Sequence, residues 1–147
     1  MNGAGTMSLS DNLLEISDYT GAGYLPLVDF ASWRVAILRY IDELLPERLE
    51  KMQRHAETDE VFVLLAGRCI LFLGEGDGAV EAIYAEDMLP LKIYNIKRGA
   101  WHTHTLSEDA TVLIVENCDT NDRNSPLVAL SAEQRQQLVQ LTHALWE

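Results

Sequence analysis

The chain has 147 residues, enough to bury one good hydrophobic core and too few for two, so one domain with one principal site is expected. Apolar residues make up 48% and charged residues 23%, the balance of a globular protein rather than a disordered or fibrous one. With 11 Lys and Arg against 23 Asp and Glu, the formal net charge of −12 repels phosphate backbones and anionic lipid, which argues against nucleic acid and membrane as partners.

Residues 1–20 read as a flexible leader, small and polar over the first dozen positions, with a second methionine at position 7 as an alternative start. No basic stretch followed by an apolar core stands there, and no run approaches a membrane-spanning length, so a cytoplasmic address is the default. After the Gly21-Ala22-Gly23 break, the apolar and aromatic run 33–40 is compatible with strand or helix, and its flanking turn residues favour strand. Asp42-Glu43, Glu47-Arg48 and Glu50-Lys51 read as a solvated loop.

A succession of short strand-like segments follows at 61–65, 69–73, 79–84, 91–96, 101–106 and 111–116, each bounded by Gly, Asp or Glu. The run 61–65 is apolar on both alternating faces and is expected to be covered on both sides, as in a barrel wall. Gly74-Glu75-Gly76-Asp77-Gly78 supplies the positive-φ residues of a hairpin reversal. Ser131 and Gln134 have capping-box spacing, and Leu138, Leu141, Leu145 and Trp146 recur at helical intervals, so a helix is expected over about 132–146. Cys69 and Cys118 show no metal-knuckle spacing and read as two reduced thiols. The pattern is that of an all-β sandwich or barrel with a terminal helix.

The stretch from Gln53 through His55 and Glu60 to Gly67 resembles the first motif of the cupin superfamily, His-x-His, three or four residues, Glu, six residues, Gly. Glu60 and Gly67 keep the last interval, four residues separate His55 from Glu60, and Gln53 takes the first His position. Gly99-Ala100-Trp101-His102 is similar to the Gly-x-x-His core of the second cupin motif, although Leu91, Lys97 and Leu106 replace its usual Gly, Pro and Asn. The resemblance spans residues 30–117 and implies a double-stranded β-helix, with one domain over 21–147.

In metal-binding cupins these motif positions converge on one ion inside the barrel. The resemblance therefore implies Gln53, His55, Glu60 and His102 as ligands of one divalent transition metal, Fe, Mn, Ni, Cu or Zn, with the neutral Gln oxygen the weakest donor. A second register replaces the His-x-His pair by His55-Ala56-Glu57 and makes Glu57 a carboxylate ligand, at too short an interval to Glu60 unless a strand bulge intervenes. His104 lies two residues after His102, so on a strand both rings share a face, and His104 or Glu57 would handle protons. Trp33 and Trp101 read as core or interface residues, and His143 as a surface residue of the terminal helix.

The implied function is a small cupin that acts on a small polar metabolite, with the reaction class open among those this fold supports. The alternatives are a metal-free small-ligand-binding or regulatory module, and a structural subunit that forms a homodimer through exposed sheet faces or edges.

Overall fold

The computed structural model describes residue 10 and residues 12–147, so most of the expected leader's first dozen positions lie outside the described residues. Among the described residues, ten strands and one α-helix form: β1 (Tyr24–Phe30), β2 (Trp33–Arg39), β3 (Lys51–Gln53), β4 (Glu60–Ala66), β5 (Cys69–Glu75), β6 (Ala82–Asp87), β7 (Tyr94–Ile96), β8 (Trp101–Leu106), β9 (Thr111–Asn117), β10 (Leu127–Ala129) and α1 (Ala132–Trp146). They build two five-stranded antiparallel sheets, ordered β1-β2-β9-β4-β7 and β10-β3-β8-β5-β6. Burial by period two sorts the side chains. Phe62 and Leu64 of β4, Val112 and Ile114 of β9, Cys69 and Leu71 of β5 and Leu106 of β8 point between the sheets and form one core.

A second core lies on the other side of β5. Ile70 and Phe72 alternate with the inward pair and pack with Met52, Trp101, Leu130 and Leu138, so α1 covers the outer face of the second sheet. Ser131 caps that helix as its spacing predicts: its side chain accepts from the Gln134 backbone N–H, and Gln134 accepts back from the Ser131 backbone N–H. Leu138 is fully buried and His143 exposed, as expected, whereas Leu145 is exposed.

The strand covered on both faces is therefore β5 and not 61–65. Val61 and Val63 are half-buried and Leu65 is exposed, because among the described residues no helix covers the outer face of the first sheet. Two predicted strands also begin later than expected. The loop closed by the Glu81 N–H to Glu75 carbonyl bond consumes residues to Glu81, so β6 starts at Ala82, which pairs with Glu75. Leu91 has φ 66 and is exposed, which delays β7 to Tyr94. The charged stretch 42–51 forms two short 3-10 turns and then β3. Both cysteines are free.

Two motif glycines have physical reasons. Gly67 closes the β4–β5 turn at φ 73, and a Cβ there would stand 2.5 Å from Ala110 Cα. Gly99, at φ 83, opens the turn into β8, and its N–H donates to the His55 carbonyl at 2.9 Å, tying the two motif segments together.

Candidate metal centre

Three strands and one loop deliver the polar groups. Glu60 is the first residue of β4, and His102 the second of β8, each with its side chain inward. Continuing the Val61–Val115 pairing by one residue sets Glu60 beside Glu116 of β9. His55 lies in the loop between β3 and β4. That loop is held at Arg54 by the Pro126 carbonyl, at Ala56 by the Asn124 carbonyl, and at Asp59, whose carboxylate accepts the Arg98 N–H at 2.7 Å. His55, Glu60 and His102 are all buried and their ligand atoms lie within 4.8 Å of one another.

The two imidazoles are oriented alike. The Ser125 hydroxyl donates to Asn124 Oδ1 at 3.1 Å and so accepts from His55 Nδ1–H at 2.7 Å. His102 Nδ1–H donates to the Ala100 carbonyl at 3.0 Å. Both Nε2 atoms are thereby turned to Glu60 Oε1, at 3.2 Å for His55 and 3.0 Å for His102. A histidine whose far nitrogen donates to a fixed acceptor is the usual arrangement of a metal ligand, because the tautomer and ring plane are set before the ion arrives. Donors about 2.1 Å from a tetrahedral ion stand about 3.4 Å apart, so these spacings suit a small divalent ion after little adjustment. Two imidazoles and a carboxylate fit borderline transition ions.

Electrostatics bind the cluster further. Burial opposes the Glu60 charge, yet hydrogen bonds from His102 and His55 and the His102 charge outweigh it and hold the carboxyl well below its usual range. Burial likewise opposes the His102 charge, but the bond to Glu60, its negative charge and the Ala100 carbonyl raise the imidazole above its ordinary value. His104 differs. Burial pushes it down to about 4, so it is neutral at pH 7, and its Nδ1 is buried without a hydrogen-bond partner among the described residues. Its ring packs on Phe62 with centroids 5.5 Å apart.

These groups line one cavity of about 400 Å³, together with Tyr24, Arg34, Leu38, Gln53, Ile114, Glu116, Thr120, Asn121, Asp122 and Ser125. Gln53 lies opposite His102 across the β3–β8 pair, and its amide Nε2 donates to the Ser125 carbonyl at 3.2 Å. Glu57, expected to handle protons or to ligate in the second register, lies elsewhere. It is exposed and does not line the cavity, because its turn is pinned outward: its carboxylate accepts from Asn124 Nδ2 at 2.9 Å, and its carbonyl accepts from Asn117 Nδ2. Trp33 is exposed and packs at a tilt against Phe30, and Trp101 is buried beneath Arg54, whose guanidinium lies 4.4 Å from its ring centroid; neither lines the cavity.

Sequence reasoning missed Glu116 and Ser125. Glu116 had a signal, since it continues the inward phase of Val112 and Ile114 as a lone carboxylate in an apolar strand. Ser125 had none, for it reaches His55 from a loop.

No family model and no curated protein matches the chain. Solved structures do. Pac13, a nucleoside dehydratase from Streptomyces, is similar over 79% of this chain and 87% of that one at 10% identity, with a TM-score of 0.52, and has been solved with uridine. The capsular polysaccharide assembling protein CapF of Staphylococcus aureus is similar over 75% of this chain and 33% of that one, at 15% identity and a TM-score of 0.50. CapF solved with the inhibitor 3-isopropenyl-tropolone gives a TM-score of 0.55 at 12% identity, over 77% of this chain and 34% of that one. Among the described residues, no helix is long and apolar enough to cross a membrane. At these identities the likeness concerns architecture alone, a double-stranded β-helix, here with a C-terminal helix packed on one sheet.

Proposed function

We propose that this protein holds one divalent transition metal ion at His55, Glu60 and His102 and acts on a small polar metabolite in the adjoining cavity. The observation that carries the reading is the paired orientation of the two imidazoles, whose Nδ1 atoms are committed to Ser125 and Ala100 while both Nε2 atoms face one carboxylate oxygen. A divalent ion there supplies Lewis-acid chemistry, the polarisation of a carbonyl or hydroxyl oxygen.

The chain's own residues do the rest. Leu38 and Ile114 give the cavity apolar walls that limit water, and its volume of about 400 Å³ suits a small metabolite. Neutral His104 offers an unpaired buried nitrogen to a ligand proton, two positions along the strand from His102. Thr120, Asn121 and Asp122 supply hydrogen-bonding groups on the lining.

Titration calorimetry of the wild type and His102→Ala with Zn(II), Mn(II) and Fe(II) tests the metal reading. Wild type is expected to bind one equivalent of at least one of these ions, and His102→Ala to bind at least about 100-fold more weakly, a loss of about 2.7 kcal/mol. Absence of binding by the wild type would favour the metal-free ligand-binding module instead.

A further inference from the structure

Glu116 is buried near the end of β9, and its two carboxylate oxygens have unlike surroundings. Oε1 accepts from Tyr24 Oη at 2.8 Å and from Arg34 Nη2 at 2.7 Å. Oε2 is buried with no hydrogen-bond partner among the described residues and lies 3.8 Å from His55 Nε2, the nitrogen that also faces Glu60. A buried carboxyl oxygen without a hydrogen-bond partner is unfavourable, and the strand register sets a second carboxyl group, Glu60, beside it. Repulsion between two adjacent carboxylates is relieved by a cation. Both nearby imidazoles have their Nδ1 atoms committed elsewhere, so their Nε2 atoms face the carboxyl groups, and an ion binding there would displace the proton that His102 Nε2 shares with Glu60.

We infer that Glu116, through Oε2, is the fourth protein donor of the divalent centre formed by His55, Glu60 and His102, in place of the Gln53 donor expected from the motif. The inference rests on the metal reading proposed above. Two carboxylates balance the charge of a divalent ion, and a carboxylate that ligates through one oxygen commonly has the other held by hydrogen bonds. Arg34 and Tyr24 do that here, as positioning residues that turn Oε2 toward the cluster. Gln53 has its amide nitrogen committed to the Ser125 carbonyl and brings no negative charge.

The test is titration of the full chain with Co(II), followed by calorimetry and by visible absorption, which reports the donors around the ion whether or not any activity is known. Wild type, Glu116→Gln, Gln53→Ala and His102→Ala are compared, with folding checked by circular dichroism. Glu116→Gln keeps the side-chain shape and is expected to bind Co(II) about 10- to 100-fold more weakly with a changed spectrum, while Gln53→Ala stays within about threefold of wild type. If Glu116→Gln fails to fold, Glu116→Asp keeps the charge but withdraws the oxygen, and should bind about tenfold more weakly with a changed spectrum. Wild-type affinity and spectrum in the folded Glu116 variant, with loss in His102→Ala, would overturn the role of Glu116 and leave the three-residue centre standing. Failure of wild type to bind Co(II) and every ion of the calorimetric series would overturn both.

Discussion

The two ends of the barrel use the same strands and differ in what their inward positions carry. At one end Leu64 of β4, Leu106 of β8 and Val112 of β9 close the space between the sheets, all nearly inaccessible. At the other end the same strands present Glu60, His102 and Glu116, which are also buried. Phe62, His104 and Ile114 lie between them. Burial is therefore common to both ends, whereas satisfaction is not. The apolar end is complete in its own contacts, while the polar end keeps Glu116 Oε2 and His104 Nδ1 without hydrogen bonds among the described residues. Stability is concentrated where the packing is apolar, and unspent binding capacity where buried polar groups converge.

The largest expected effect that separates the ends is a packing defect. Leu64→Ala removes a buried side chain and should lower unfolding free energy by about 2–5 kcal/mol in urea denaturation, while the folded variant keeps the metal stoichiometry of the wild type. A stability loss accompanied by loss of the metal would show that the two ends are coupled.

Ser125→Ala acts at the other end. Without the hydroxyl that accepts from His55 Nδ1, the imidazole is free to rotate or change tautomer, and metal affinity should fall about 10-fold in calorimetry. Urea stability of the metal-free variant should change by less than the Leu64→Ala loss. Unchanged affinity would mean that His55 needs no such support.

A pH series sharpens the same comparison with a smaller effect. In the metal-free protein the raised His102 pKa means that the imidazolium–Glu60 pair contributes stability fully present below the ordinary imidazole value, near about 6.5, and lost as pH rises through the raised value. The metal competes with that proton at Nε2, so metal affinity should rise over the same interval. Melting temperatures of metal-free and metal-loaded protein should consequently diverge as pH increases from about 6. Parallel melting curves would contradict the assignment of His102.

The smallest effect belongs to Glu57→Gln. Because Glu57 is exposed and turned to Asn124, metal affinity should stay within about twofold and stability within about 0.5 kcal/mol. A large loss of metal would restore the register in which Glu57 ligates.

Residue by residue, the polar end was readable where spacing along one segment decided the geometry. Glu60 and His102 sit at motif positions on regular strands, so the twofold alternation carries them inward, and the Gly67 turn has a steric reason that the motif preserves. Glu116 and Ser125 depend on contacts across the fold. Whether a carboxylate in an apolar strand faces the core or solvent follows from β9 lying between β2 and β4, and pairing of that kind leaves no local trace. The same limit explains β5. Its second face is buried by Met52 of β3, Trp101 of β8, Val80 and Leu130 together with Leu138 of α1, residues distant along the chain, and so sequence alternation alone pointed to the neighbouring strand β4. The short strands β3 and β10 pair with each other, Met52 opposite Val128, from charged or loop-like contexts where three residues carry no periodic signal.

Elemental analysis of the protein, prepared without a His tag and equilibrated with an excess of mixed divalent ions before desalting, tests the central claim most directly. The account predicts close to one equivalent of a single transition metal per chain, reduced to background in His102→Ala. Background metal in both proteins would contradict the metal centre and leave the cluster as a hydrogen-bonding lining for an organic ligand.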